Sequence, residues 1–200
     1  MKWKEETGGG FNLEPGIYPA ICTQLIDLGT QEDEYQGHKK VRKRCIIGWE
    51  LVDELYEADG ESKRMHFSQV YTQSLHPKAT LRKHLSGWRG RDFTSEELEG
   101  FDSKNILGKS CMLVVGKTES GKSIVESISR YKGDDVEQEG SLNEFSFDEF
   151  EGKFPEWMGD GLIAWACKSQ EYQDYLSKGA EYEQANHSQE SEEDFDEVPF

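Results

Sequence analysis

Long apolar runs are missing from this chain. No stretch of its 200 residues is long enough to span a bilayer, so a helical membrane anchor is not expected. Cysteine is scarce. Cys22, Cys45, Cys111 and Cys167 stand far apart in apolar or strand-like contexts, with no C-x-x-C pair and no histidine at ligand spacing. That excludes a disulfide framework and a structural zinc site, and it predicts buried free thiols. A signal peptide is not expected either: Lys2, Lys4, Glu5 and Glu6 lead straight into Gly8-Gly9-Gly10. The five histidines are scattered, and the acidic residues gather in tails rather than in pairs at strand ends, so no catalytic constellation, metal or cofactor is expected. Positive charge is short overall, with 23 Lys and Arg against 40 Asp and Glu.

The deficit is uneven. Met1–Tyr35 carries −5, Gln36–Lys132 carries +5, Gly133–Ala180 carries −9 and Glu181–Phe200 carries −8. A basic middle with an acidic end is the asymmetry that points to a polyanion partner. The basic character peaks in L-R-K-H-L-S-G-W-R-G-R-D-F, Leu81–Phe93, where Arg82, Lys83, Arg89 and Arg91 alternate with Trp88 and Phe93. Cations beside flat rings suit a ligand that offers phosphates and exposed bases. The same pattern also describes a short helix with Trp88 in the core.

Along the chain, residues 1–12 read as a disordered N-terminus. Gly16–Leu28 reads as a first strand, and Gly29–Gly37 as a polar turn. His38–Val52 reads as a second strand, with Val41, Lys43, Cys45, Ile47, Trp49 and Leu51 on one face and Lys40, Arg42 and Arg44 on the open one. Ala58-Asp59-Gly60 signals a hairpin turn into a third strand, Arg64–Thr72. A short helix over Ala79–Gly87 follows Pro77, and Thr94 with Glu97 forms a capping box for a second. Lys109–Lys117 and Lys122–Tyr131 form a closing hairpin. Residues 133–152 read as an acidic linker, and Phe154–Leu176 (within 153–178) as one amphipathic helix. Residues 179–200 read as a disordered acidic tail.

Three strands, short helices, then two strands make a mainly β domain over residues 13–132. They match a five-stranded Greek-key barrel of the oligonucleotide-binding (OB) type, with its helices between strands three and four.

Gly116–Ser123 fits G-x-x-x-x-G-K-S letter for letter. A phosphate-binding P-loop must open a helix. Here Ile124–Tyr131 is β-branched and roughly alternating, which predicts a returning strand. The loop is then a hairpin tip carrying Lys117 and Lys122.

The ending D-F-D-E-V-P-F resembles the acidic tip of bacterial-type single-stranded DNA-binding proteins, which close in Pro-Phe. The central run is similar to a family of phage single-stranded DNA-binding proteins with an OB-fold. It comprises S-L-H-P-K-A-T-L-R-K-H-L-S-G-W-R-G-R-D-F-T and then F-D-S-K-N-I-L-G-K-S-C-M-L-V-V. The likeness covers Gly16–Ser129 and the tail. It implies a sequence-independent strand binder in phage replication or recombination, in the cytoplasm of the infected bacterial host. Charge and pattern nominate Arg42, Arg44, Arg82, Arg89, Arg91, Lys117, Lys122 and Arg130 for phosphates. They nominate Trp88 and Tyr71, with Trp49 or Phe93, for stacking on bases. Asp194, Asp196, Glu197, Pro199 and Phe200 would recruit a replication or recombination protein. Stacking and charge do not read the 2′-hydroxyl, so RNA stays open as a ligand. A protein-interaction adaptor and a nucleotide hydrolase using Gly116–Ser123 are the alternatives.

Overall fold

The computed structural model describes residues 12–35, 37–58, 60–134 and 136–179. The predicted disordered N-terminus, apart from Asn12, and the predicted tail, apart from Gly179, lie outside them. The chain divides into two compact units. One holds the segment ending at Asp27 together with Lys43–Phe145, the other Leu28–Arg42 and the segment from Ser146 onward.

The protein is mainly β. One six-stranded sheet is built from β1 (Gly16–Tyr35), β2 (His38–Ala58), β3 (Glu61–Thr72), β4 (Ser110–Lys117), β5 (Ser123–Arg130) and β6 (Asn143–Phe145). The hydrogen-bonded order is β3-β2-β1-β4-β5, and β6 pairs with β1. The pairs β2–β3, β1–β4 and β4–β5 are antiparallel; β6 runs parallel to β1, with Leu25 opposite Glu144. Ala58 pairs with Glu61, so the expected hairpin turn is present, with Gly60 at φ 81°.

Alternation works where the first unit has a core. Ile47, Trp49 and Leu51 of β2 are buried with Met65, Phe67 and Tyr71 of β3, and Trp49 sits opposite Phe67. Leu113, Val115, Val125 and Ile128 complete the same cluster from the other edge. The prediction failed at two points on β2. Val41 is 61% exposed, and the supposedly open face turns buried at Ile46 (5%) and Glu50 (1%).

The predicted turn over Gly29–Gly37 is a correction. β1 continues to Tyr35 and turns only at Gly37, φ 75°. Backbone pairing with β2 satisfies this polar stretch as well as it would an apolar one. Side chains assist within the second unit: Thr30 gives its N–H (2.6 Å) and hydroxyl (2.8 Å) to Glu171, and the buried Gln31 donates to the carbonyls of Leu28 and Trp165.

The single helix over Phe154–Leu176 is also corrected. It is two short helices, α3 (Asp160–Ala166) and α4 (170–179), with a break at 167–169. The fully buried Ser169 explains the break. Its hydroxyl accepts the N–H of Tyr172 at 3.2 Å, which is N-cap geometry and starts a new helix. Phe150, Phe154, Tyr172 and Tyr175 meet ring against ring in this unit, with centroids 4.9–5.9 Å apart.

The acidic linker is no free linker. Ahead of β6, the N–H groups of Glu139 and Gly140 bind the Glu50 carboxylate at 2.9 and 3.0 Å.

Candidate nucleic-acid interface

The basic–aromatic segment forms α1 (Thr80–Arg89), which closes with Gly90 in the left-handed region, φ 69°. The N–H of Arg91 reaches back to Ser86 at 3.1 Å and that of Gly90 to Gly87 at 3.2 Å, a Schellman ending. Thr94 and Glu97 make the expected reciprocal capping box on α2 (Ser95–Glu99).

α1 joins the two edge strands of the first unit. His84 is buried between Tyr71 of β3 and β5. Its Nδ1 lies 2.9 Å from the Tyr71 hydroxyl and its Nε2 3.1 Å from the carbonyl of Glu126. A carbonyl only accepts, so Nε2 carries the proton and Nδ1 takes the Tyr71 hydroxyl proton. Burial pushes the His84 pKa down, outweighing the carbonyl contact, and keeps this neutral form at pH 7. Beside it, the Gln69 side-chain oxygen of β3 accepts the N–H of Val125 of β5 at 2.6 Å. A register shift in the β4–β5 ladder lies next to this point, between Val114 and Val115. Gly87 lets the helix approach β5: a Cβ there would fall well inside 3.0 Å of the Ile128 carbonyl oxygen.

This packing corrects the nominated stacking residues. Trp88 is 4% exposed, and its indole N–H donates to the Ser110 carbonyl at 2.8 Å. Tyr71 (3%), Trp49 (0%) and Phe93 (8%) are likewise core. None offers a ring face to a base, because the rings fill the space between α1 and the sheet. Cys22 and Cys111 belong to the same core, and Cys45 packs against it. Burial pushes the Cys22 and Cys45 thiols up to about 12 and raises that of Cys111.

The nominated cations fall into three groups. Arg82, Arg89 and Arg91 serve the fold. Arg82 forks onto Asp92 (2.9 and 3.2 Å), which also accepts from Ser86 and the Phe93 N–H. Arg89 and Arg91 converge on Glu97, and Arg89 lies over Phe93 and Phe101, 4.5 and 5.2 Å from the ring centroids. Hydrogen bonds from Arg82 hold the Asp92 pKa far below the carboxylate range. Those from Arg91 and the Thr94 N–H bring Glu97 to about 2. Two more nominated cations face inward or toward local partners: Arg44 is half-buried, and Lys117 reaches Asn12 at 2.7 Å. Arg42 of β2, Lys122 at the β4–β5 turn and Arg130 at the end of β5 are exposed, Arg130 also donating to the Arg89 carbonyl at 2.6 Å.

The P-loop-like octapeptide is a β-hairpin. Thr118 and Lys122 pair across its turn (2.8 Å), and Gly121 takes φ 79°. Without a helix opening after it, the loop lacks the amide cradle that a nucleotide hydrolase of this class requires.

One cation escaped the sequence reading. Arg64 alternates with the buried Met65 and Phe67 and so lies on the outer face of β3, with exposed His66 and Ser68. It contacts Glu50 at 2.9 Å and Glu139 at 3.2 Å. The strand's period-two pattern was the available signal. Among the described residues, no three His, Cys, Asp or Glu side chains are grouped to hold a metal, and no helix is long and apolar enough to cross a membrane. The nominated partner-binding residues Asp194, Asp196, Glu197, Pro199 and Phe200 lie outside the described residues.

No family model, no curated protein and no solved structure matches this chain.

Proposed function

We propose that this chain is a sequence-independent single-stranded DNA-binding protein with an OB-fold. Its place would be phage replication or recombination in the bacterial cytoplasm, with the acidic tail recruiting a replication protein. The observation that carries the reading is the strand order β3-β2-β1-β4-β5, with its two edges linked by α1 and by Gln69. A five-stranded OB barrel unrolls to that order, and its helix falls between the third and fourth strands, as α1 does. The hairpins β1–β2 and β4–β5 flank the ligand face of that fold. Both carry exposed cations here, Lys40 and Arg42 on one and Lys122 on the other. The buried rings shift the expected contacts from stacking toward phosphate neutralisation.

The test is fluorescence anisotropy of a dye-labelled oligothymidylate titrated with the full chain over a salt series. Tryptophan emission is the weaker readout, because Trp49 and Trp88 are buried. The affinity should fall with a log–log slope near about −0.7 per phosphate contacted, and Arg42→Gln with Lys122→Gln should flatten it by roughly one such unit each. No binding, or binding indifferent to salt, would refute the reading. An adaptor role draws on the ring cluster of the second unit, where Tyr175 and Leu176 are 41% and 47% exposed. It gains weight if the oligonucleotide does not bind.

A further inference from the structure

We propose that the Nε edge of the Arg64 guanidinium is a phosphodiester-binding point on β3, held in the free protein by the Glu139 carboxylate. This rests on the strand-binding reading and names a contact within it.

The two edges of the Arg64 fork are in different situations. Nη1 is built in: it donates to Glu50 Oε1 and to the Glu137 carbonyl, both at 2.9 Å. Glu50 is 1% exposed and also accepts the N–H groups of Glu139 and Gly140. Burial alone would raise its pKa. The two amides and the guanidinium reverse this and keep it ionised. A buried carboxylate therefore fixes the guanidinium plane, and the Arg64 side chain is 16% exposed.

The Nε edge meets a looser anion. Glu139 reaches Nε at 3.2 Å through one oxygen, with its side chain 54% exposed. An ion pair whose carboxylate is half-exposed contributes little. The Nε and Nη2 donors of arginine fit two oxygens side by side, which a phosphodiester supplies. Glu139 can leave without releasing the segment, because the tether to Glu50 is the main-chain N–H of Glu139 and not its side chain. Along β3 the exposed His66 and Ser68 continue the same face, so a backbone lying there would meet polar groups in line with Arg64.

The experiment compares oligothymidylate affinity of the full-length wild type, Glu139→Gln and Glu137→Gln by anisotropy at low salt. Glu137 is exposed, sits two residues away and engages Arg64 through its carbonyl, so its variant makes the same charge change without vacating the Nε edge. Glu139→Gln should bind about two- to fivefold tighter, and Glu137→Gln should match the wild type. The gain should vanish in an Arg64→Lys background, where the ion pair to Glu50 is kept and the fork is lost. Urea midpoints confirm that each variant is folded. Equal gains in both glutamine variants, or no gain in Glu139→Gln while the wild type binds, would overturn the proposal. If the wild type itself does not bind, the strand-binding reading falls first and takes this contact with it.

Discussion

Gly87→Ala sets a helix preference against a packing distance. Alanine is favoured over glycine inside a helix by about 1 kcal/mol, so at an open site the change stabilises. Gly87 is not open on the side that matters: the added Cβ would fall well inside 3.0 Å of the Ile128 carbonyl oxygen. That atom is backbone in the paired strand β5 and cannot rotate aside. Relief requires α1 to lift from the sheet, which strains the Trp88–Ser110 and His84–Glu126 hydrogen bonds. Overpacking costs about 1–3 kcal/mol, and each weakened hydrogen bond up to about 1 kcal/mol. Set against the propensity gain, the net is a loss of about 2 kcal/mol. Urea unfolding followed by tryptophan emission should place the midpoint lower by roughly 1 M, at the slopes usual for small domains. Gly161→Ala in α3 is the matched control. Nothing lies within 4 Å of its Cβ, and it should be neutral or stabilising by up to about 1 kcal/mol. A Gly87→Ala protein as stable as the wild type, or more so, would refute the close approach of α1 to β5.

Two further outcomes follow from the same geometry. Glu97 has a pKa lowered from the usual 4.5 to about 2 by its partners Arg91, Thr94 and Arg89. A depressed carboxylate contributes stability above its unfolded pKa and loses it as the pH falls through the folded value. The wild-type urea midpoint should therefore decline between pH 4.5 and about 2, and Glu97→Gln should be less stable at neutral pH with a shallower decline. An unchanged slope would count against the Arg89–Glu97–Arg91 network. Of the four free thiols, Cys22 and Cys111 are buried and Cys45 is half-buried, and all three have a raised pKa. An aromatic disulfide reagent at neutral pH should therefore modify at most one thiol per native chain quickly, and four in urea. Fast reaction of two or more in the native protein would show that the core around Tyr71 is open.

What the sequence by itself determined is local. Period-two apolar patterning placed β2 and β3 and their core face at Ile47, Trp49 and Leu51. Asp59-Gly60 set a hairpin turn, Thr94 and Glu97 set a capping box, and the β-branched run after Gly116–Ser123 made a strand where the motif's letters called for a helix. Each of these depends on neighbours within a few residues. Tertiary structure decided which faces are covered and which charges are taken. Alternation sorts a strand into two faces, yet it is silent on whether the second is dry, and Ile46 and Glu50 turned out buried. A ring between arginines has the same sequence whether it stacks on a base or fills a core. Trp88 and Tyr71 fill the core because α1 lies against the sheet. The fates of Arg82, Arg89 and Arg91 were nearly legible, since Asp92 and Glu97 follow within ten residues, but only the fold of the α1–α2 corner brings those carboxylates onto them. The Glu50 tether joins residues about ninety positions apart, and Ser169 interrupts a helix that its composition would have continued. No local pattern reports either, because burial and hydrogen-bond partners are properties of the assembled chain.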